Sequence, residues 1–359
     1  MELTANAIEH LRSGALFLAC AADHDWCHEQ LDRILSYMSM HETTATLRQT
    51  DAFDDDALVV AVGFVNSGLP LSDLQPVGDE FLTSLRLVEG AIGKPIAALM
   101  PLAAANINAL IPVLTGMQTG IPVVDADPMG RVFPLLYQSV FTLAGLSAGP
   151  IGATGPLGDS ALLDVSDPRR AERLVRALAG EFGGWSATAL YPMRTDTLAR
   201  NGILGSVSRM IQIGEILDSR SATGEKHAAL RRDAGVKRII RARVSDVTGL
   251  SRPAPPGQPD MPSSVVLIEE SHERIVQIEI QNELLMVMID GAVVAVIPDI
   301  ITLLRPEDAS VASLDDLWVG NTLDIAVLPA APQWYSPEGS ALAGPNALHQ
   351  WLQSQGGRR

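Results

Sequence analysis

Residues 122–134 read PVVDADPMGRVFP, which sets two carboxylates and one guanidinium directly behind an apolar run. Asp125 and Asp127 can accept hydrogen bonds from the N–H groups of a small ring, exchange a proton with it, or hold a cation. Arg131 can grip a carboxylate through two parallel N–H bonds. The structural alternative is a local salt bridge that fixes a turn. A second cluster, CAADHDWCH over residues 20–28, brings a thiol near an imidazole. There His24 can lower the thiol pKa of Cys20 while Asp25 orients the ring or meets a ligand, the minimum for a thiolate nucleophile. The same residues also permit a metal on His24, His28 and Cys27, or simply a buried cysteine beside a solvated turn. Asn108, in Asn106-Ile107-Asn108, can read donor and acceptor together on a planar ligand, or cap a helix. The match to G-x-S-x-G at residues 145–149 is followed by Pro150, Gly152 and Gly155, so it reads as a glycine-rich turn and not as a nucleophile elbow.

These groups need a scaffold, and the pattern supplies one. Residues 58–65 and 96–100 are apolar runs suited to strands buried on both faces, and residues 121–124 form a third. Helical spacing runs through residues 4–13, 29–40, 78–89, 106–116, 167–182 and 195–219, and residues 186–193 suit a further strand. The alternation predicts an α/β layered domain over residues 1–235, with a helical second half. Asp125 then stands at the carboxyl end of a strand, where ligands bind in open α/β sheets. From residue 236 the texture turns to short runs rich in Val and Ile, with Asp290-Gly291 as a hairpin signal. This predicts a smaller all-β barrel or sandwich over 236–330. A tail over 331–359, with a short helix near 348–352, packs back on the α/β domain. The basic stretch from Lys226 to Arg243 reads as a solvated face, with Lys237, Arg241 and Arg243 on one side of a strand.

The chain has 359 residues, 47% of them hydrophobic and 19% charged, enough for two cores. A formal net charge of -16 repels phosphate backbones and anionic lipid. The expected partner is a small-molecule substrate, with no nucleic acid and no membrane, and a homo-oligomer stays open. Two cysteines and a start lacking the order of a signal peptide point to the cytoplasm. There is no P-loop, no G-x-G-x-x-G, no flavin motif and no H-E-x-x-H, and a metal is left open.

PVVDADPMGRVFP closely resembles the PVVDADGMGRAFPE signature of the S-methyl thiohydantoin desulfurase-like family, long known only as a family of unknown function often found near hydantoinases. SGALFLACAADHDW stands where that family has a glycine-rich loop. GGWSATALYPM, GILGSVSRMIQIG, IQNELLMVMIDGAVVAVIPDIITLL and VGNTLDIAVLPAAPQW follow in matching order. The resemblance spans roughly residues 7–346. It implies an α/β domain followed by a β-rich one. It also implies action on a five-membered cyclic ureide or thioureide, by hydrolytic loss of the exocyclic sulfur or a related ring step. Asp125, Asp127, Gly130, Arg131, Asn108, Ser206, Asn282 and Glu283 carry over as site positions, Asp125 and Asp127 as catalytic ones.

Four departures stand out. Ala19–His24 replaces the glycine loop, Ala103 and Leu135 replace two glutamates, and Pro128 replaces a glycine. An enzyme on this scaffold must then draw on Asp125, Asp127, His24 and Cys20 for proton transfer. A non-catalytic relative would instead fill the space with Phe64, Leu135 or the alanine-rich loop, and bind a ligand or partner subunit. Under the enzymatic reading Asp125→Asn abolishes turnover and leaves the melting temperature nearly unchanged.

Overall fold

The computed structural model of the chain describes residues 1–21, 24–66, 78–248, 264–280, 283–345 and 347, the side chains of residues 24–26 excepted. It divides into two compact units, residues 1–9 with 26–208 and residues 10–25 with 209–359.

The chain opens with β1 (Glu2–Leu3), α1 (Ala5–Leu18) and α2 (His24–His41). The first unit continues through β2 (Ala45–Arg48), β3 (Leu58–Asn66), α3 (Asp79–Ile92), β4 (Ile96–Pro101) and α4 (Asn106–Thr119). Next come the short strands β5 (Val123–Val124) and β6 (Ala126–Asp127), then α5 (Val140–Leu143), β7 (Ile151–Thr154) and β8 (Ser160–Leu163). The last elements of this stretch are α6 (Pro168–Glu181), β9 (Trp185–Arg194), α7 (Thr195–Asn201) and β10 (Ile203–Leu204). One eight-stranded sheet runs β1-β2-β5-β4-β3-β9-β7-β8. Its middle strands β2, β5, β4 and β3 are parallel, and β9 joins β3 antiparallel. Residues 58–65 are buried throughout, as a strand covered on both faces requires.

Local chemistry sets the element ends. Asp167 caps α6 by accepting from the N–H groups of Arg169 and Arg170, and Pro168 occupies the first turn, where no N–H is needed. Residues 145–149 are a loop in which Ser147 Oγ meets the Val165 carbonyl, and no helix follows them. The single helix expected over 195–219 is broken into α7, β10 and α8 (Ser206–Asp218), with Gly205 in the left-handed region at φ 75° between the last two. The strand expected over 121–124 is shortened to β5: Pro122 has no N–H for a ladder, and its carbonyl accepts from Leu99 instead.

In the second unit α1 and α8 meet backbone to backbone. A Cβ on Gly14 would lie 1.9 Å from the Met210 carbonyl oxygen, and one on Gly214 would lie 1.8 Å from that of His10. Asp218 ties the pair further, accepting from Ser13 Oγ at 2.8 Å and meeting His10 Nδ1 at 2.8 Å. Helix α9 (Thr223–Arg232) leads into β11 (Arg238–Thr248), β12 (Ser264–Glu269), β13 (Ile275–Ile280) and β14 (Leu284–Ile289). Then follow β15 (Ala292–Val296), β16 (Ile300–Leu304), β17 (Val311–Ala312), β18 (Thr322–Leu328) and α10 (Pro337–Ala343). All eight strands are antiparallel, in the order β15-β14-β13-β12-β11-β18-β16-β17. The hairpin signal is realised: Asp290 at φ 48° and Gly291 at φ 80° turn β14 into β15. Val265, Leu267, Val276, Ile278, Val287, Leu303 and Ile325 fill the core against this sheet, each contributing about 1.5–3 kcal/mol by leaving water. The helix expected near 348–352 lies outside the described residues. Within the tail read as loop, Ser336 and Pro337 start α10, with Ser336 Oγ accepting from the Gly339 N–H.

Candidate functional site

The carboxyl ends of the parallel strands gather the motif. Gln49 follows β2, Leu102–Ala105 follows β4, and Asp125 follows β5, whose chain is held by Asp125 N donating to the Arg48 carbonyl at 2.8 Å. Strand β6 then pairs with β10, Asp127 opposite Ile203 and Ala126 opposite Leu204. Asp125, Asp127 and Arg131 are all sealed from solvent, at 1%, 0% and 0% exposure.

Asp125 is saturated. Its Oδ1 accepts from the N–H groups of Val207 at 2.9 Å and Ser208 at 3.0 Å, the first turn of α8. Its Oδ2 accepts from Gln49 Nε2 at 2.8 Å and from the Ser208 hydroxyl. The carboxylate thus caps a helix from a distant strand and complements the dipole there. This bears on the expectation that Asp125→Asn leaves the melting temperature unchanged. An asparagine keeps an oxygen for Val207 and Ser208 and can donate to the Ser208 hydroxyl and to a turned Gln49 amide, so what it loses is the carboxylate at the helix start.

Asp127 differs. Its Oδ2 accepts from the N–H groups of Ala104 at 2.9 Å, Met129 at 2.8 Å and Gly130 at 2.7 Å, the last reached because Gly130 turns at φ 70°. Its Oδ1 is buried and meets no hydrogen-bond partner, and the Ser206 hydroxyl is likewise buried without one. Burial pushes the Asp127 carboxyl up to about 6. The N–H groups of Gly130, Met129 and Ala104 and the Ser206 side chain oppose the rise without cancelling it.

Arg131 Nε donates to the Val132 carbonyl at 2.8 Å, and its guanidinium lies 4.8 Å from the centre of the Phe133 ring. Asn108 Oδ1 accepts from the Phe64 N–H at 2.6 Å and ties α4 to β3. Asn106 stands at φ 46°, its Oδ1 accepting from the Asn108 N–H at 3.1 Å. Phe64 stacks on Trp185 with ring centres 4.8 Å apart. Phe64, Ala103 and Leu135 are all buried.

Of the second cluster, Cys20 is buried at φ 52°, with Ala21 beside it at φ 69°. The left-handed backbone that suits glycine is thus carried here by residues with a Cβ. The Cys20 thiol lies 3.8 Å from the Leu18 carbonyl oxygen, and Leu284 donates its N–H to the Cys20 carbonyl. His24 opens α2, and its side chain, that of Asp25 and all of Asn282 lie outside the described residues. Glu283 is buried just ahead of β14. Asp125, Asp127, Arg131, Asn108 and Ser206 belong to the first unit, and Cys20, His24, Asp25 and Glu283 to the second. Among the described residues no group of three or more His, Cys, Asp or Glu side chains could hold a metal.

Sequence reasoning missed the residues that hold the loop after the motif. Glu172 Oε2 accepts from the Leu136 N–H at 2.7 Å, and Arg176 donates to the carbonyls of Asn66 and Pro134 at 2.6 and 2.9 Å. Tyr191 donates to the Leu136 carbonyl at 2.8 Å and accepts from Ser139 Oγ at 3.1 Å. Burial raises its pKa, and its backbone sits at φ 52°. The i, i+4 spacing of Glu172 and Arg176 within α6 was the one legible signal.

An α/β unit with polar side chains at the ends of its parallel strands, followed by an antiparallel β unit, defines the class. The chain belongs to the S-Me-THD-like family: that family's N-terminal domain matches residues 6–165 and its C-terminal domain residues 166–350. A crystallised protein from Chromobacterium violaceum shares the fold with a TM-score of 0.70 and 20% identity, covering 99% of this chain and 97% of its own. No curated protein matches the chain. No described helix is long and apolar enough to cross a membrane.

Proposed function

We propose that the protein is a divergent enzyme acting on a small cyclic ureide, thioureide or related cyclic amide, with Asp127 as its proton-transfer group. One observation carries this reading: Asp127 keeps one oxygen unpaired in a sealed site while the other is locked by three backbone N–H groups. A buried, uncompensated carboxylate costs stability, and such costs concentrate where chemistry is done. A pKa of about 6 suits an acid–base group working near neutrality. The S-Me-THD-like family supports a hydantoin-related ring as the substrate class. On an S-methylated thiohydantoin, water would add to the ring carbon bearing sulfur while Asp127 takes its proton. The C–S bond would then break, with that proton leaving on methanethiol, the proton of the added hydroxyl passing to the ring nitrogen, and a ring carbonyl remaining. Asp125 and Arg131 shape the loop in this reading, and a role for Cys20 and His24 stays part of the proposal, as does a cytoplasmic setting.

The test is methanethiol release from an S-methyl thiohydantoin, and ring opening of hydantoin, by the wild type and Asp127→Asn. A fall in kcat of about 100-fold or more is expected. Undiminished turnover by the variant would overturn the assignment. A non-catalytic ligand-binding or partner subunit is the second reading. The burial of Phe64 and Leu135, and Ala103 in place of a carboxylate, favour it. It predicts no turnover on any such ring by the wild type.

A further inference from the structure

Asp127 Oδ1 and Ser206 Oγ are two buried polar atoms without a hydrogen-bond partner, and two independent ties in the fold hold the stretches that carry them. The β6–β10 ladder sets Asp127 opposite Ile203, and Asp125 holds the start of α8 through the amides of Val207 and Ser208. Ser206 lies between those ties, and its side chain lowers the Asp127 pKa against the rise that burial causes. A hydroxyl is the one side-chain group that can both donate and accept at a single rotating atom. It can point its proton at an ionised carboxylate, then accept the carboxyl proton once one arrives. Asp127 Oδ2 has no such freedom, because its three partners are all N–H donors.

We propose that Ser206 is the positioning residue for Asp127, keeping the exchangeable proton on Oδ1 and aiming it along one line. The proposal rests on the reading of Asp127 as the acid–base group and adds the residue that regulates it. Other charges nearby are committed. Asp125 is taken up by Gln49, Val207 and Ser208, and Arg131 by the Val132 carbonyl and the Phe133 ring. Strands β4 and β10, which pack against β6, bring no ionisable side chain.

The experiment follows the Asp127 carboxyl carbon by NMR through a pH titration, in the full-length protein, for the wild type, Ser206→Ala and Ser206→Thr. Asp127→Asn assigns the signal. Loss of a hydroxyl that favours the charged form should raise the titration midpoint by about half a unit to one unit in Ser206→Ala. Ser206→Thr, which keeps the hydroxyl, should restore it, and the acid limb of any kcat profile should move in step. An unchanged midpoint in Ser206→Ala overturns the inference, as does a Thr variant that behaves like Ala. Should Ser206→Ala fail to fold, Ser206→Cys, a much weaker donor, takes its place with the same shift expected. Because the titration needs no turnover, it separates this inference from the functional reading, which falls if Asp127→Asn stays active or the wild type turns over no such ring.

Discussion

Two buried aspartates, one in each unit, show what a sealed carboxylate looks like with and without a cation. Asp324 on β18 is 1% exposed, and Arg241, its register partner on β11, grips both its oxygens at 2.8 Å. That contact raises the Arg241 pKa. His227 of α9 stands 3.3 Å from the same carboxylate, and burial lowers its pKa against the pull of Asp324. Asp127 is as deeply buried but has only amide N–H groups, all on one oxygen. The first arrangement is complete and needs nothing further. The second leaves Oδ1 without a hydrogen-bond partner, a cost that the proposed role in proton transfer would account for.

Substitution should separate the two sharply. The largest expected effect is in Asp127→Asn, with at least about a 100-fold loss of kcat and a higher melting temperature at pH 7.5. The amide keeps one oxygen for the three N–H groups and offers its N–H₂ to Ser206, removing a buried charge. A lower melting temperature at that pH would place Asp127 among the braces.

Next is the pH dependence of stability in the wild type. The folded Asp127 carboxyl lies near 6, above its ordinary value of 3.8, so the native chain binds this proton more tightly. Its destabilising contribution is therefore complete above pH 6 and vanishes as pH falls below 3.8, a change of about 3 kcal/mol. Glu269 runs the other way. Hydrogen bonds from Arg274 hold it at about 2, so its contribution is full above pH 4.5 and is lost as pH falls through 2. Urea unfolding of the wild type and Asp127→Asn at pH 7.5 and pH 5 reads the difference. Equal pH dependence in both would refute the raised value.

Asp324→Asn comes third, with a loss of about 2–3 kcal/mol by denaturant unfolding and no change in the titration of Asp127. The smallest effect is Asp125→Asn, about 1 kcal/mol, from losing the carboxylate at the start of α8. A melting temperature equal to that of the wild type would show that the cap on α8 is idle.

Much of this scaffold is written locally. The apolar run at 58–65, Pro168 behind Asp167, and Asp290-Gly291 each dictate their own backbone, and β3, α6 and the β14–β15 hairpin form as expected. The place of Asp125 at the end of a buried strand was legible too. What each acid does there was not. Asp125 and Asp127 are two residues apart and look alike in sequence. Their fates are decided by Gln49, Ala104, Ser206 and Ser208, brought in by the parallel strands and by a two-residue ladder. That ladder lies inside what helical spacing alone reads as one helix. The brace from Glu172, Arg176 and Tyr191 was equally hidden, because no local pattern ties α6 and β9 to the loop after the motif.

The cap on α8 also bears on ligand choice. Helix starts are common landing places for phosphates and carboxylates, because their free amides and partial positive charge welcome an anion. Here the chain has already seated its own anion at that spot. The amides of Val207 and Ser208 are spent on the chain's own side chain, so this helix start keeps neither of them to offer an incoming phosphate or carboxylate.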